Sequence, residues 1–338
     1  DFQADVEPGV LYRDLNEKLR HKGLLFPPDP GAQATIGGMI ANNASGTKTV
    51  RYGSTKDYVL RLTVALAGGE IIEMGTRASK TSSGYDLIHL FVGSEGTLGI
   101  MTEITVRLVP LPPAKATLQA IFSDLDDAAK TVSAIIGAGI VPTTLELIDR
   151  VVLDVIGNYG GAKFRKDAEA LLLIVVDGEE AMVLGQGKKI EAFCKERGAV
   201  EAELASTPSE ADKLWQARRS AFGAVASLRP NCIVEDATVP VKRLADIIRK
   251  ILELSEKYRL KIGVLAHAGD GNLHPLIMTD LRDEDEMARV DKALEEMYDA
   301  AIAMGGTLSG EHGIGIAKDR FMSMEFSETS IALMRGIK

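Results

Sequence analysis

The chain has little cysteine: two in 338 residues. Cys194 and Cys232 lie far apart and form no C-x-x-C pattern, so they read as reduced thiols of a cytoplasmic protein. No apolar run is long enough to span a bilayer and no signal peptide is visible, although peripheral attachment to a membrane stays open. Positive charge is in deficit. A net charge of −9 without a basic stripe argues against nucleic acid as a partner. Repeats and low-complexity tracts are absent, and 46% hydrophobic residues exclude the disordered and collagen-like classes. What remains is a globular chain long enough for two domains with cores of their own. It starts at Asp1, and 5–10 read as a strand and turn cut from a sheet. Residues 331–338 stop within a helical pattern, so the expectation is a piece of a longer polypeptide.

Histidine is also scarce, at five, but three are concentrated in two short stretches. His267-Ala-Gly-Asp-Gly-Asn-Leu-His274-Pro275 reads as a β-hairpin: an apolar strand over 262–266, a turn over 268–272 and a returning strand over 273–278. Such a hairpin would face His267 toward His274 with Cβ atoms roughly 5 Å apart. The second stretch is Gly310-Glu311-His312-Gly313. Two imidazoles and a carboxylate make a divalent metal site with open positions, although two histidines bracketing a turn can equally be surface residues. Neighbours in an extended segment point opposite ways. On that ground Glu311 is assigned to the metal with His267 and His274, and His312 to the substrate side.

Along the chain, 11–22 predict a short amphipathic helix ended by Gly23, followed by a rigid proline-rich loop over 25–31. Residues 35–46 read as a Gly/Asn loop able to cradle an anion, a weak signal by itself. A hairpin over 59–74 and a polar loop over 75–86 lead to Leu90–Ile100. The glycines there are spaced GxxGxxG, unlike the dinucleotide fingerprint, so a nicotinamide-binding unit is disfavoured. Pro110, Pro112 and Pro113 mark a domain boundary, giving 1–112 and 113–338. The order β-α-β-(α)-β-α-β over 115–205 predicts a ferredoxin-like antiparallel sheet with helices on one face. A helix over 209–228 is expected to carry Trp215 and Phe222 on its apolar side. Arg218 and Arg219 on it either snorkel to solvent or, for one of them, clamp a substrate carboxylate.

Taken in order, Pro-Asp-Pro (28–30), Thr-Ile-Gly-Gly (35–38), Gly-Tyr-Asp-Leu (84–87), Gly-Ser-Glu-Gly-Thr-Leu-Gly-Ile (93–100), the His-x6-His-Pro hairpin and Gly-Glu-His-Gly resemble the FAD-linked oxidase family. These are the vanillyl-alcohol oxidase-like flavoproteins, and the branch is that of the glycolate oxidase FAD subunit and D-lactate dehydrogenase. The resemblance implies an α+β fold: the C-terminal part of a PCMH-type FAD-binding domain followed by a ferredoxin-like antiparallel cap. It implies noncovalent FAD, with Pro27, Asp29, Thr35, Gly37, Gly38, Asn43, Ser45, Gly46, Glu95, Gly96, Gly99 and Ile100 on the flavin side. It also implies a divalent metal (Zn, Fe or Mn) on His267, His274 and Glu311, His312 as acid/base, and Arg218 as carboxylate anchor. The upstream glycine-rich pyrophosphate loop and a C-terminal flavin-contacting segment of the family are missing from this sequence. Phe222 and Val234 stand where D-2-hydroxyglutarate enzymes carry a hydroxyl and a lysine, which favours a small monocarboxylate.

The expected reaction is oxidation of a small D-2-hydroxy acid, D-lactate or glycolate, with hydride passing to the flavin. Expected electron acceptors are an electron-transfer flavoprotein, an iron–sulfur subunit or a quinone, and a homodimer is a candidate assembly. Two rival readings are a metal-dependent hydrolase using the same His/His/Glu set and a catalytically inactive fragment or subunit that keeps the fold.

Overall fold

A computed structural model describes residues 1–159 and 164–338. The chain divides into two compact units, one of 1–112 with 311–319 and 326–338, the other of 113–310 with 320–325.

The first unit contains β1 (Gln3–Val6), α1 (Tyr12–Arg20), β2 (Leu24–Leu25), α2 (Ile36–Asn42), α3 (Thr49–Tyr52), β3 (Val59–Ala65), β4 (Ile71–Gly75), α4 (Leu87–Phe91), β5 (Ile100–Arg107) and β6 (Val109–Pro110). Four strands form an antiparallel sheet in the order β1-β5-β3-β4, and β2 pairs separately with β6. Leu62, Val64, Ile104 and Val106 alternate inward along β3 and β5 and meet Phe26, Ile36 and Ile40 in the core. Tyr12, Leu15 and Leu19 bury one stripe of α1 at helical spacing.

The stretch expected as a Gly/Asn loop is in part the helix α2. Ile36, Met39 and Ile40 are buried at spacings of three and four, the Thr35 hydroxyl accepts the Gly38 N–H at 3.1 Å, and Asn43 ends the helix at φ 50°. Gly37 and Gly38 each cost about 1 kcal/mol in a helix. Burying three large apolar side chains returns about 1.5–3 kcal/mol each, so packing overrides propensity. Gly37 has its own reason: a Cβ there would lie 2.6 Å from that of Pro8.

The second unit runs β7 (Ala114–Phe122), α5 (Leu125–Gly137), β8 (Thr144–Asp149), α6 (Arg150–Tyr159), β9 (Ala170–Gly178), α7 (Glu180–Glu196) and β10 (Ala199–Leu204). The antiparallel order β10-β7-β9-β8 is the ferredoxin-like arrangement, with α6 inserted between its second and third strands. Then come α8 (Pro208–Ala226), β11 (Asn231–Val234), β12 (Ala237–Thr238), α9 (Leu244–Tyr258), β13 (Lys261–His267), β14 (Asn272–Thr279) and α10 (Glu284–Ala303). β13 pairs with β8, so the sheet continues β8-β13-β14-β11, and β12 pairs with the start of β14. Thus β8 is an inner strand, buried along its whole length.

Phe222 does not lie on the buried face of α8. Leu214, Ala217, Ala221, Ala224 and Val225 form that face, whereas Phe222 is 52% exposed and Trp215 packs at its margin. The alanines let α8 approach α6 closely, and this contact, rather than the largest side chains, sets the helix's rotation.

Two short helices follow: α11 (Met322–Glu325) in the second unit and α12 (Glu328–Ile337) in the first. Residues 311–319 also pack with the first unit. Both carboxylate oxygens of Glu95 accept backbone N–H groups there, from Ile314 at 2.7 Å and Gly315 at 2.8 Å.

Candidate active site

In the second unit His267 pairs with Asn272 and Leu265 with His274 across the β13–β14 hairpin. The two histidines are therefore diagonal neighbours on one face, not directly opposed as the sequence suggested. The turn is one residue shorter than expected, because Asn272 belongs to the ladder. The rings nevertheless meet, with centroids 5.0 Å apart and planes at 82°, and both side chains are buried. Gly271 makes the turn possible. It sits at φ 82°, and a Cβ there would come within 2.0 Å of the Val239 carbonyl oxygen.

The same face carries a residue the sequence did not announce. Glu146 of β8 is the cross-strand partner of His267 and is fully buried. Its Oε1 lies 2.5 Å from His267 Nδ1, and its Oε2 accepts from Arg218 Nε at 2.8 Å. Burial pushes the Glu146 carboxyl upward, but His267 and Arg218 outweigh it and hold the pKa at about 2. His274 Nδ1 faces the backbone oxygen of Glu235 at 3.4 Å. The Glu235 side chain accepts the hydroxyl of Tyr298, whose ionisation is pushed up by burial and then by that carboxylate. Arg218 therefore belongs to the histidine cluster through Glu146, while Arg219 points to Asp212 on the exposed side of α8. Glu146 carries no mark in the sequence, because one glutamate in a Thr-Leu-Glu-Leu-Ile strand reads as ordinary alternation and its partner lies 121 residues away.

In the first unit the Glu311–His312 segment is a bend rather than the extended strand assumed for it. Gly313 and Gly315 have positive φ, and Glu95 takes the N–H groups that a ladder would have used. Glu311 accepts from the Ser45 hydroxyl at 2.8 Å, and the His312 carbonyl accepts from Asn42 at 3.4 Å; the His312 side chain is exposed. Ser45, Glu95, Glu311 and His312 are thus held in one neighbourhood.

Other residues assigned to the flavin side do internal work. Asp29 accepts from Tyr12 (2.8 Å) and the Gly31 N–H and pairs with Lys48 at 3.0 Å. Burial raises its carboxyl, yet Lys48, Tyr12 and Gly31 together bring it below the usual range. Asn43 accepts from Ser54 and from the Lys56 N–H. Gly46 at φ 122° and Gly99 sit where a Cβ would clash, with the Asp29 carbonyl and with Val64 respectively. Pro27 is buried. Gly96 and Ile100 differ: nothing approaches the Cβ position of Gly96, and Ile100 is 72% exposed.

In both hairpin rings Nδ1 faces an oxygen acceptor, so Nε2 is the atom each could offer to a metal. The donor set of the second unit therefore fits a divalent metal. For a flavin, the open Gly96 and the exposed apolar Ile100 suit contact with a flat aromatic ring. Among the described residues no helix is long and apolar enough to cross a membrane, and Cys194 and Cys232 are not paired with each other.

Residues 111–338 match the family model described as FAD linked oxidases, C-terminal domain, and residues 1–75 match an FAD binding domain. The glycolate oxidase subunit GlcD of Bacillus subtilis is 46% identical over 340 residues, covering 100% of this chain and 72% of that protein. The probable mitochondrial D-lactate dehydrogenase of Danio rerio is 36% identical over 343 residues, covering 100% and 69%. Substrate-bound p-cresol methylhydroxylase has a TM-score of 0.75 at 16% identity, over 99% of this chain and 74% of that one, a likeness of fold alone. The fold is accordingly α+β, with PCMH-type FAD-binding and antiparallel cap parts. With relatives matched along its whole length and an oxidase model over its larger part, the chain belongs to the FAD-linked oxidase family of oxidoreductases.

Proposed function

We propose that the protein oxidises a small D-2-hydroxy acid, such as D-lactate or glycolate, to the 2-oxo acid, with His267, His274 and Glu311 holding a divalent metal. The observation that carries this reading is the hairpin pair: two buried imidazoles 5.0 Å apart, each with Nδ1 on an oxygen acceptor, in a chain of the FAD-linked oxidase family. The names of its relatives, glycolate oxidase subunit and D-lactate dehydrogenase, support the substrate class. Chain connectivity supports Glu311 as the third ligand. Gly310, just before it, packs so closely on Thr238 and Asn272 that a Cβ would fall 2.2 Å from the Thr238 hydroxyl, and Asn272 is the ladder partner of His267.

When bound, FAD supplies the two-electron acceptor, and the metal supplies a Lewis acid for the 2-hydroxyl. Arg218 binds the substrate carboxylate through its Nη edge, since Nε is engaged by Glu146. His312, exposed on its bend, takes the hydroxyl proton as the alcohol becomes a carbonyl. Phe222 and Val234 bring no charge for a second carboxylate, which favours a monocarboxylate. Electrons then pass to a protein or quinone acceptor; the name of the Bacillus subtilis relative, a subunit, supports a protein partner. Family membership along the chain favours oxidation over hydrolysis at the same residues.

The test is His312→Ala in the complete FAD-loaded protein. Turnover should fall by about 10²–10⁴-fold with the flavin still bound. Near-normal turnover removes His312 from the chemistry.

A further inference from the structure

A buried carboxylate on an inner strand needs a reason. Glu146 is fully buried between Leu145 and Leu147, where an apolar residue would fit without the desolvation cost of a charge. Buried ion pairs are poor stabilisers compared with packed apolar side chains. Both oxygens of Glu146 are committed, one to an imidazole and one to a guanidinium. Each partner is a group to which the proposed function gives a different task.

We infer that Glu146 is a positioning residue that fixes the tautomer of His267 and the presented edge of Arg218 at once, tying the metal ligand to the substrate anchor. The inference rests on the reading of His267 as a metal ligand and of Arg218 as the carboxylate clamp. A carboxylate only accepts, so the imidazole nitrogen facing Oε1 must carry its proton. That puts hydrogen on Nδ1 and the lone pair on Nε2, where a metal takes it, and the adjacent negative charge makes that lone pair more basic. His274 is held in the same tautomer by a backbone carbonyl, which likewise only accepts, but at 3.4 Å the contact is weaker. At Nδ1, then, His267 meets a charge and His274 a dipole. Arg218 is anchored through Nε, so its Nη1–Nη2 edge is the one left to meet a carboxylate in bidentate fashion.

Glu146→Gln tests this, because the donor rules allow only one arrangement. Arg218 has no acceptor, so the amide oxygen must face it and the NH2 group must face His267. His267 Nδ1 then has to accept, and its proton moves to Nε2, the atom a metal needs. The replacement is nearly isosteric and leaves every group paired, so the fold is retained.

Two readouts follow on the complete protein with FAD in place and metal removed. Long-range 1H–15N spectra of its histidines, with the His267 signals identified by their loss in His267→Asn, should show His267 as Nδ1–H in the wild type and Nε2–H in Glu146→Gln. Zinc titration against a chromophoric competitor should show about 10–100-fold weaker binding in the variant. An unchanged His267 tautomer in the variant overturns the inference, as does equal zinc affinity alongside a switched tautomer. If the wild type shows the expected tautomers but binds no zinc, the metal reading fails while the positional claim on His267 stands. A merely structural role would lower the melting temperature and move neither signal.

Discussion

Asp149, three residues beyond Glu146, shows how much one buried side chain can set. Its Oδ1 accepts the Val152 N–H at 2.9 Å, while Oδ2 has no hydrogen-bond partner among the described residues. Burial raises the carboxyl to about 7, against the pull of the Val152 and Val264 N–H groups. In the unfolded chain an aspartate titrates near pH 4, so between about 4 and 7 the folded state holds a proton that the unfolded state has lost. Asp149 therefore contributes most stability at low pH, and the contribution is lost as pH rises through about 7. Asparagine keeps an acceptor for Val152 and carries no charge. Asp149→Asn should leave stability unchanged near pH 4 and raise it relative to wild type above pH 7, by up to about 4 kcal/mol. Urea unfolding at the two pH values measures the difference; a constant offset would contradict the assignment. At this scale the sequence was readable where chemistry was rare. Histidine scarcity singled out His267, His274 and His312, but nothing marked Glu146 or Asp149, since acidic residues are common and burial comes from strands paired across 121 residues.

Elements place these residues, and two short turns matter most. Gly271→Ala would put a methyl against the Val239 carbonyl in a left-handed conformation, and should destabilise the second unit by more than about 2 kcal/mol. Loss of the His267–His274 ring contact should accompany it, read as changed histidine ring shifts; an undisturbed hairpin would mean that the turn tolerates a side chain. Glu95→Ala removes the acceptor for the Ile314 and Gly315 N–H groups, at a cost of about 1–3 kcal/mol, and should speed hydrogen exchange across 311–319. Unaltered exchange there would show that other contacts hold the bend. Elements with strong periodicity, such as α5 with its Asp124 cap, could be read directly from the sequence. The helix α2 could not, because Gly37, Gly38 and Asn42 hid a three-residue apolar stripe. The rotation of α8 could not either, because alanines rather than Phe222 set its buried face.

For the whole molecule, alternation of strands and helices over 115–205 sufficed to anticipate the ferredoxin-like order β10-β7-β9-β8. The continuation through β13, β14 and β11 was not legible, since long-range pairing leaves no local mark. Yet that continuation sets His267 opposite Glu146. Family membership explains why an FAD-binding unit accompanies such a sheet, and the proposed metal site gives the buried carboxylate a purpose. We propose that a 2-hydroxy acid is oxidised with the help of a metal held by His267, His274 and Glu311. The most direct test is anaerobic mixing of the complete FAD-loaded protein with D-lactate or glycolate, before and after removal of divalent metal. The flavin band should bleach in the metal-loaded protein, fail to bleach after chelation, and recover when zinc, manganese or iron is restored. Equal bleaching with and without metal would contradict the claim.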